Sequence, residues 1–499
     1  MIIAHDLGTT GNKASLHDSK GRIAHSVTVS YETHYRSGGV VEQDPEDWWK
    51  AICLATQTLL IDTSTDPKEV FGVGISGHMM GAVLLDKKMQ PLRPAVIWAD
   101  TRSQQQCDQL IRDFGQTKAY EVLGHRINST YSLTKIMWLR DNEPELFAKT
   151  WKICNAKDFI VARLTGVLGT DPSDASSMNL YDQKEGKWSE ELLGIAGLKV
   201  DLFPEIFPST HVVGHVRQSS ASAVGLEVGT PVVMGGGDGP IAAVGAGKIE
   251  PCDGAYVYLG SSSWISISSE SPLYDKGLMR TMNFNHVVPN RFVPTATMQS
   301  GGGALNWISD IFEPGGSDER FERLIEDTKN VEAATEGLFF LPHLLGERSP
   351  YWNPNARGAF LGLSRHHTRS HVTRAVLEGV AFNLYTCINA FRGLGTDINQ
   401  VDAIGGGASS DVWLQLMADI WGCTVQRRSV VDEANSLGAA VTTGVGIGLF
   451  PDFSIARDLS SVMKIFEPNQ KRTLAFSRAH ELFKEAYLQL EPWMNESRP

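Results

Sequence analysis

The chain of 499 residues contains no stretch approaching the roughly 20 consecutive apolar residues that a membrane-spanning helix needs. Its six cysteines (Cys53, Cys107, Cys154, Cys252, Cys387, Cys423) are far apart and form no Cys-x-x-Cys pair. Disulfide and zinc frameworks are therefore not expected, and a reducing, cytoplasmic setting fits. The fourteen histidines offer no His-Glu-x-x-His spacing, and the His366-His367 pair lies in a polar segment that reads as surface. The formal charge is −12 with no basic run or stripe, so neither a nucleic acid nor an anionic membrane is an expected partner. The opening residues Met1 to Asp6 lack both a basic region and a long apolar core, and read as a core strand rather than a secretion signal. The protein-kinase signatures His-Arg-Asp and Asp-Phe-Gly are missing as well.

What is present is ordinary globular composition, 42% hydrophobic and 20% charged, in a chain too long for one hydrophobic core. Two domains are expected. Strand and helix signals alternate in both parts. Asp44-Pro45-Glu46-Asp47 is a helix start: a capping carboxylate, proline at the first position, then acids in the first turn. Val70 to Ser76 and Ala82 to Leu85 read as strands paired around a glycine-rich turn, and Pro231 to Met234 as a buried strand. Later, Ser370 can cap a helix that carries Val372, Val376, Val380, Leu384 and Ile388 on one stripe and ends near Gly393. A strand over Val401 to Ile404 follows, then a helix from about Asp411 to Trp421 closed by Gly422. A boundary near residues 245–255 divides the chain into αβ halves, 1–247 and 248–499. No low-complexity linker separates them, so they are expected to share a cleft.

The most informative pattern is written twice. Asp6-Leu7-Gly8-Thr9-Thr10 lies between two apolar runs, and half a chain later Leu259-Gly260-Ser261-Ser262 does the same. Each copy reads as strand, tight glycine–hydroxyl turn, strand. Such a turn gathers backbone N–H groups and hydroxyls into a space that suits phosphate. Glycine turns also occur at 235–239, 301–303 and 405–409, each against an apolar strand or a helix start. Glycine lets amides approach anionic oxygens closely, and a helix N-terminus adds a favourable dipole.

Two nucleotide motifs fail on context. Gly72-Val73-Gly74-Ile75-Ser76-Gly77 matches Gly-x-Gly-x-x-Gly, but a strand-like run follows where a dinucleotide fold needs a helix. Gly245-Ala246-Gly247-Lys248 resembles the end of a Walker loop, but Ala242 and Ile249 stand where glycine and Ser or Thr belong. Two carboxylates remain. Asp6, directly before its turn, suits Mg²⁺ beside bound phosphates, a cation that commonly takes one or two protein carboxylates. Asp238, between Gly237 and Gly239, can stand clear in a cleft, and one positioned carboxylate suffices as base in phosphoryl transfer.

These residues resemble the FGGY carbohydrate kinases of the actin-like ATPase superfamily, nearly end to end. The resemblance rests on residues 6–10, 41–49, 97–102, 237–239, 259–262, 341–350 and 405–413. It implies an α/β fold of two ribonuclease-H-like (actin/hexokinase-type) domains with a central catalytic cleft. It implies transfer of the ATP γ-phosphate to a sugar hydroxyl, with Asp238 as base and Asp6 organising Mg²⁺. A homodimer is the assembly considered, one that no motif in the sequence specifies. Thr9, Thr10 and Lys13 would approach the phosphates from the N-terminal half. Gly260 and Ser261 would do so from the other half, with Gly302, Asn306, Gly406, Gly407 and Asp411 around the nucleotide. The sugar would lie among His78, Met79, Met80, Trp98, Asp100, Asp238 and Gly239. Within the family the chain is most similar to the xylulokinases, which implies D-xylulose or a related ketose. Two departures keep a polyol or a sugar acid (glycerol, gluconate) open. Gly77-His78-Met79-Met80-Gly81 replaces a usual Gly-Gln-Met-His-Gly, and Gly239-Pro240 follows the aspartate where asparagine is common. A non-catalytic sensor on the same fold, or a polymerising actin-like ATPase, are the readings from other classes.

Overall fold

The computed structural model describes residues 1–315, 319–430 and 433–496. The first half is built on a six-stranded sheet: β1 (Ile2–Leu7), β2 (Gly11–His17), β3 (Ile23–Ser30), β4 (Gly72–Gly77), β5 (Val212–His215) and β6 (Pro231–Gly237). Their order is β5-β6-β4-β1-β2-β3. The second half carries a seven-stranded sheet of β7 (Ala255–Leu259), β8 (Ser263–Ile267), β9 (Met282–Asn285), β10 (Phe292–Met298), β11 (Gln400–Ile404), β12 (Thr424–Arg428) and β13 (Val462–Phe466). That order is β9-β10-β8-β7-β11-β12-β13. Each sheet has the same heart. A first strand is antiparallel to the hairpin strand after it (β1/β2, β7/β8) and parallel to a strand reached by a long crossover (β1/β4, β7/β11). The fold is two ribonuclease-H-like halves of the actin/hexokinase type, and the two glycine turns occupy the same place in each.

Side-chain alternation along β1 explains the layers. Ile3 and Leu7 point to α1 (Pro45–Thr63), joining Trp48, Ile52 and Leu59 in the outer core. Ile2 and Ala4 point the other way, into a core that both halves build. Two helices supply that middle layer: α3 (Asp238–Gly245) from the first half and α7 (Ala434–Gly446) from the second. Leu437, Ala439, Ala440 and Val441 of α7 share the cluster of Ile2 and Ala4, so the second half's helix covers the first half's sheet. Ile241 and Val244 of α3 share it with Tyr256 of β7 and Ile404 of β11. On the far side of the second sheet lie α5 (Arg369–Gly393), α6 (Asp411–Trp421) and α8 (Gln470–Glu496).

The glycines of Gly72-Val73-Gly74 now have a physical reason. A Cβ at Gly74 would sit 1.8 Å from Thr443 Oγ1, and one at Gly72 3.2 Å from Thr443 Cγ2. The motif admits α7 against β4; no helix follows it. Two sequence expectations are corrected. The strand at 72–77 pairs with β1 and β6, and Val83–Leu85 pairs instead with Lys152–Cys154. A fully buried apolar strand belongs inside a parallel sheet, and residues 78–82 carry the chain away from it. The long helix of the second half starts at Arg369, after Thr368 rather than Ser370.

Candidate active site

The two turns are real hairpin ends. Gly8 N donates to Gly11 O at 3.0 Å, and β7 and β8 close from Leu259 to Ser263. In the second half two glycine turns lock together: Gly302 N donates to Gly260 O (2.8 Å), and Gly301 N and Gly303 N to Ser261 O (2.9 and 3.0 Å). A Cβ on Gly302 would lie 2.8 Å from Gly260 O, so only glycine allows this approach. The contact opens α4 (Gly302–Phe312). Together with the N-terminus of α6 it borders a cavity of about 550 Å³. Gly260, Ser261, Gly302, Asn306, Gly406, Gly407 and Asp411 all line it, beside Phe321 and Trp413. Asp411 is half exposed there and is paired to Arg427 (2.9 Å) and Lys464. Those bonds, Lys464 first, hold its pKa below the usual carboxylate range.

The first half supplies the charged side. Asp6 lies directly across from Lys13 in the β1/β2 ladder. Asn435 Nδ2, from the start of α7, donates to Asp6 Oδ1 at 3.1 Å, and Lys13 meets Glu433 at 3.3 Å. Burial raises the pKa of Asp6, while Asn435, Ser76 and Lys13 pull it back. Thr10 is exposed at the tip of the turn. The main chain of Thr9 is fixed by Gln43 Nε2 (2.6 Å) and Thr33 Oγ1 (3.0 Å). Asp238 begins α3, with Gly239 N donating to its Oδ1 at 2.8 Å. Its pKa is raised to about 7, first by burial and then by the negative charge of Asp6. Two neighbouring carboxylates in a cleft, one pushed toward neutrality, form an arrangement suited to taking a proton.

The expected sugar pocket divides. Met79, Met80, Trp98, Tyr131 and Trp352 pack into the shared middle cluster, and Met79 Sδ lies where a Cβ on Gly237 would be (2.6 Å). Trp98 Nε1 donates to Thr9 Oγ1 at 2.9 Å, tying pocket to turn. Met80 is held at φ 63°, its carbonyl accepting from Lys135 Nζ at 2.8 Å and its N–H donating to Ser177 Oγ at 3.2 Å. His78 and Asp100 take a different place. His78 turns into the core edge-on to Trp48, with ring centroids 5.2 Å apart, and burial lowers its pKa to about 4. The backbone stays bonded to β1 one residue past β4, His78 N donating to Leu7 O at 2.9 Å, and His78 and Met79 leave it on opposite sides. Asp100 is fully buried, and Arg102 and Val41 N (2.7 Å) occupy its oxygens, so it braces the wall and has no acceptor left for a sugar.

Several supports escaped the sequence reading. Beneath the pocket lies a fully buried group: Lys157 with Asp158 (2.6 Å), Asp171 (3.3 Å) and Asp174 (3.6 Å). Burial opposes the charge of Lys157, but the three carboxylates outweigh it and raise its pKa. Asp171 accepts from Ser173 Oγ, which accepts from Gly237 N at 2.9 Å, so the group fixes the residue before Asp238. Lys157 and Asp158 open α2 (Ala156–Thr165), and no motif around them announced the group. Asn435 carried no local signal either, and Arg348 entered only as part of the family stretch 341–350. The His366-His367 pair does lie at the surface, close to Glu336 and His371. There His367 Nδ1 accepts from Ser364 N and His371 Nδ1 from Thr368 N.

Two halves facing across a cleft, with a raised-pKa carboxylate on one side and a glycine-lined cavity on the other, define a two-domain phosphotransferase. The model of the FGGY carbohydrate kinase N-terminal domain matches residues 1–245, and that of the C-terminal domain matches 255–447. The chain belongs to the FGGY family of carbohydrate kinases. It is an ATP-dependent sugar kinase, a phosphotransferase with an alcohol group as acceptor, and ATP and a sugar are its substrates. The xylulose kinase of Bacillus subtilis (strain 168) is 31% identical over 487 residues, 97% of this chain and 96% of its own. A ligand-bound xylulose kinase from Lactobacillus acidophilus superimposes with a TM-score of 0.92 at 25% identity, covering 100% of this chain and 99% of that one. A gluconate kinase from the same organism gives a TM-score of 0.91 at 26% identity, with 98% of each chain covered.

Proposed function

We propose that the acceptor is D-xylulose or a closely related ketose, and that Asp238 takes the proton from its reacting hydroxyl. The observation that carries the catalytic assignment is the buried placement of Asp238 at the start of α3 beside Asp6, which raises its pKa to about 7, near the operating pH at which a base works best. The xylulose kinases among the similar proteins support the ketose. Asp6 suits Mg²⁺: its oxygen is oriented by Asn435, and a cation beside it offsets the repulsion from Asp238. The metal would neutralise charge on the phosphates. Thr9 and Thr10 would meet those phosphates from one side, with Lys13 adding positive charge, and the amides at Gly260 and Ser261 from the other. The base and ribose would occupy the cavity beside Asn306, Gly406, Gly407 and Asp411. Because little covalent chemistry falls to the protein in phosphoryl transfer, this alignment is most of the catalysis.

A sugar acid is the second reading. It rests on Met80 standing where the xylulokinase pattern has histidine, which removes a hydrogen bond from the pocket, and on the gluconate kinase fold match. The test is ADP release over a panel of ketoses, polyols and aldonic acids. D-xylulose should lead; a larger kcat/KM for gluconate overturns the ketose assignment. In the same reading the division at 247/248 separates a sugar half from a nucleotide half, and the enzyme works in the cytoplasm. Leu474 (77% exposed) and Trp493 (63%) on α8 favour a homodimer, which light scattering would check.

A further inference from the structure

Arg348 is an arginine whose guanidinium, among the described residues, meets an aromatic ring but bonds no carboxylate. It comes from the second half, in the loop 342–358, and reaches the first half, where its guanidinium lies 5.4 Å over the ring of Trp98. Among the described residues it makes no ion pair and no side-chain hydrogen bond, and its Nη2 is buried with no acceptor. The adjacent acid cannot serve. Glu347 already accepts from His343 Nδ1 (2.9 Å), Asn383 Nδ2 (3.0 Å), Gln299 N (2.9 Å) and the Arg348 backbone N (2.9 Å). Asp100 of the pocket wall is spent on Arg102. Arg348 is half-buried overall, but a guanidinium N–H buried without an acceptor is costly, and a ligand oxygen can satisfy it.

Its surroundings say which ligand. Trp98 bonds Thr9 at the phosphate turn and packs with Met80 and Trp352 in the pocket cluster. Trp352 Nε1 is a second buried donor without an acceptor. The wall thus offers donors, while methionine sulfur accepts only weakly. Such a wall favours a ligand rich in strong acceptors: carbonyl or carboxylate oxygens carry more negative charge than a hydroxyl and need no donor orientation of their own.

We propose that Arg348 is a specificity-determining residue, donating Nη2–H to an sp² oxygen of the acceptor, a ketone or a carboxylate, and selecting such acceptors over the matching polyols. The assignment rests on the sugar-kinase activity of the family and deepens the choice of acceptor. It also makes acceptor binding a contact between halves, because Arg348 and Asp238 come from opposite sides.

The test uses the five-carbon series D-xylulose, D-xylonate and xylitol with the full-length enzyme and its Arg348→Gln and Arg348→Lys variants. The native enzyme should prefer the ketose or the acid to xylitol by at least about tenfold in kcat/KM. Arg348→Gln should collapse that preference through the KM of the acceptor, with the KM for ATP unchanged, and Arg348→Lys should restore part of it for the acid. Loss confined to xylulose identifies the ketone as the bound oxygen; loss confined to xylonate identifies the carboxylate. Equal losses on all three acceptors, or an unchanged acceptor KM, overturn the proposal and leave Arg348 a brace for Trp98. Thermal melts of both variants separate misfolding from selectivity, and the Lys variant keeps the test open if Gln does not fold. Which acceptor the native enzyme prefers tests the ketose assignment; the ratio between native and variant tests Arg348.

Discussion

Asp238 is held in a fold that disfavours its charge. Its pKa in the folded protein is about 7 against 3.8 for a free side chain, first through burial and then through Asp6. The stability this group contributes is therefore full below pH about 4 and is lost as pH rises toward 7, where the carboxylate must ionise in place. Asp238→Asn should melt higher than the native protein at pH 8, by about 1–3 kcal/mol, with the gap closing toward pH 4. The same variant should lose sugar-dependent turnover by at least about 100-fold. A variant that is no more stable at pH 8, or that retains turnover, would place the base elsewhere. In the native enzyme kcat/KM for the sugar should fall as the pH drops below about 7, and bound Mg²⁺ should move that limb to lower pH by screening Asp6.

Element by element, what the sequence revealed were local signals and what it hid were long-range contacts. Asp44 caps α1 as expected, its carboxylate accepting from Glu46 N at 2.9 Å, and Gly422 ends α6 in the left-handed conformation. Both hairpins were legible because glycine, hydroxyl and flanking apolar runs sit within ten residues. The partner of β4 was not, because pairing in a parallel sheet depends on strands far along the chain. Nor was the buried Lys157 group, whose charges are neutralised only after folding brings Asp171 and Asp174 to it. Close helix packing belongs to the same hidden class. A Cβ on Gly245 of α3 would lie 1.8 Å from Ala434 O, and one on Gly438 of α7 2.0 Å from Ile241 O. Each helix therefore presents bare backbone to the other. Gly245→Ala or Gly438→Ala should destabilise the protein by about 2–4 kcal/mol despite the better helix propensity of alanine, since backbone cannot yield as a side chain can. Urea titration checks this, and an unchanged midpoint would show that the helices can part without cost.

For the molecule as a whole, the crossed helices decide whether the halves are independent. The division at 247/248 is natural in sequence, but α7 of the second half covers Ile2 and Ala4 of the first, and α3 of the first packs against Tyr256 and Ile404 of the second. Each half alone would bare a sheet face and leave its own helix without a bed. Exposing Leu437, Val441 and their counterparts forfeits about 1.5–3 kcal/mol per large side chain, which several such losses carry past the roughly 5–15 kcal/mol that holds a typical domain together. The contacts at the cleft reinforce this: Asn435 on Asp6, Glu433 on Lys13 and Arg348 on Trp98 all run from second half to first. Separate domains linked by a flexible tether would unfold in separate steps. This chain should instead unfold in one calorimetric transition, with the van't Hoff enthalpy close to the calorimetric one. A fragment of residues 1–247 should lack a cooperative melt and bind a hydrophobic dye. Two resolved transitions, or a fragment that folds alone, would show that each sheet can do without the other's helix. The cleft would then close by free hinge motion rather than by small shifts within a shared core.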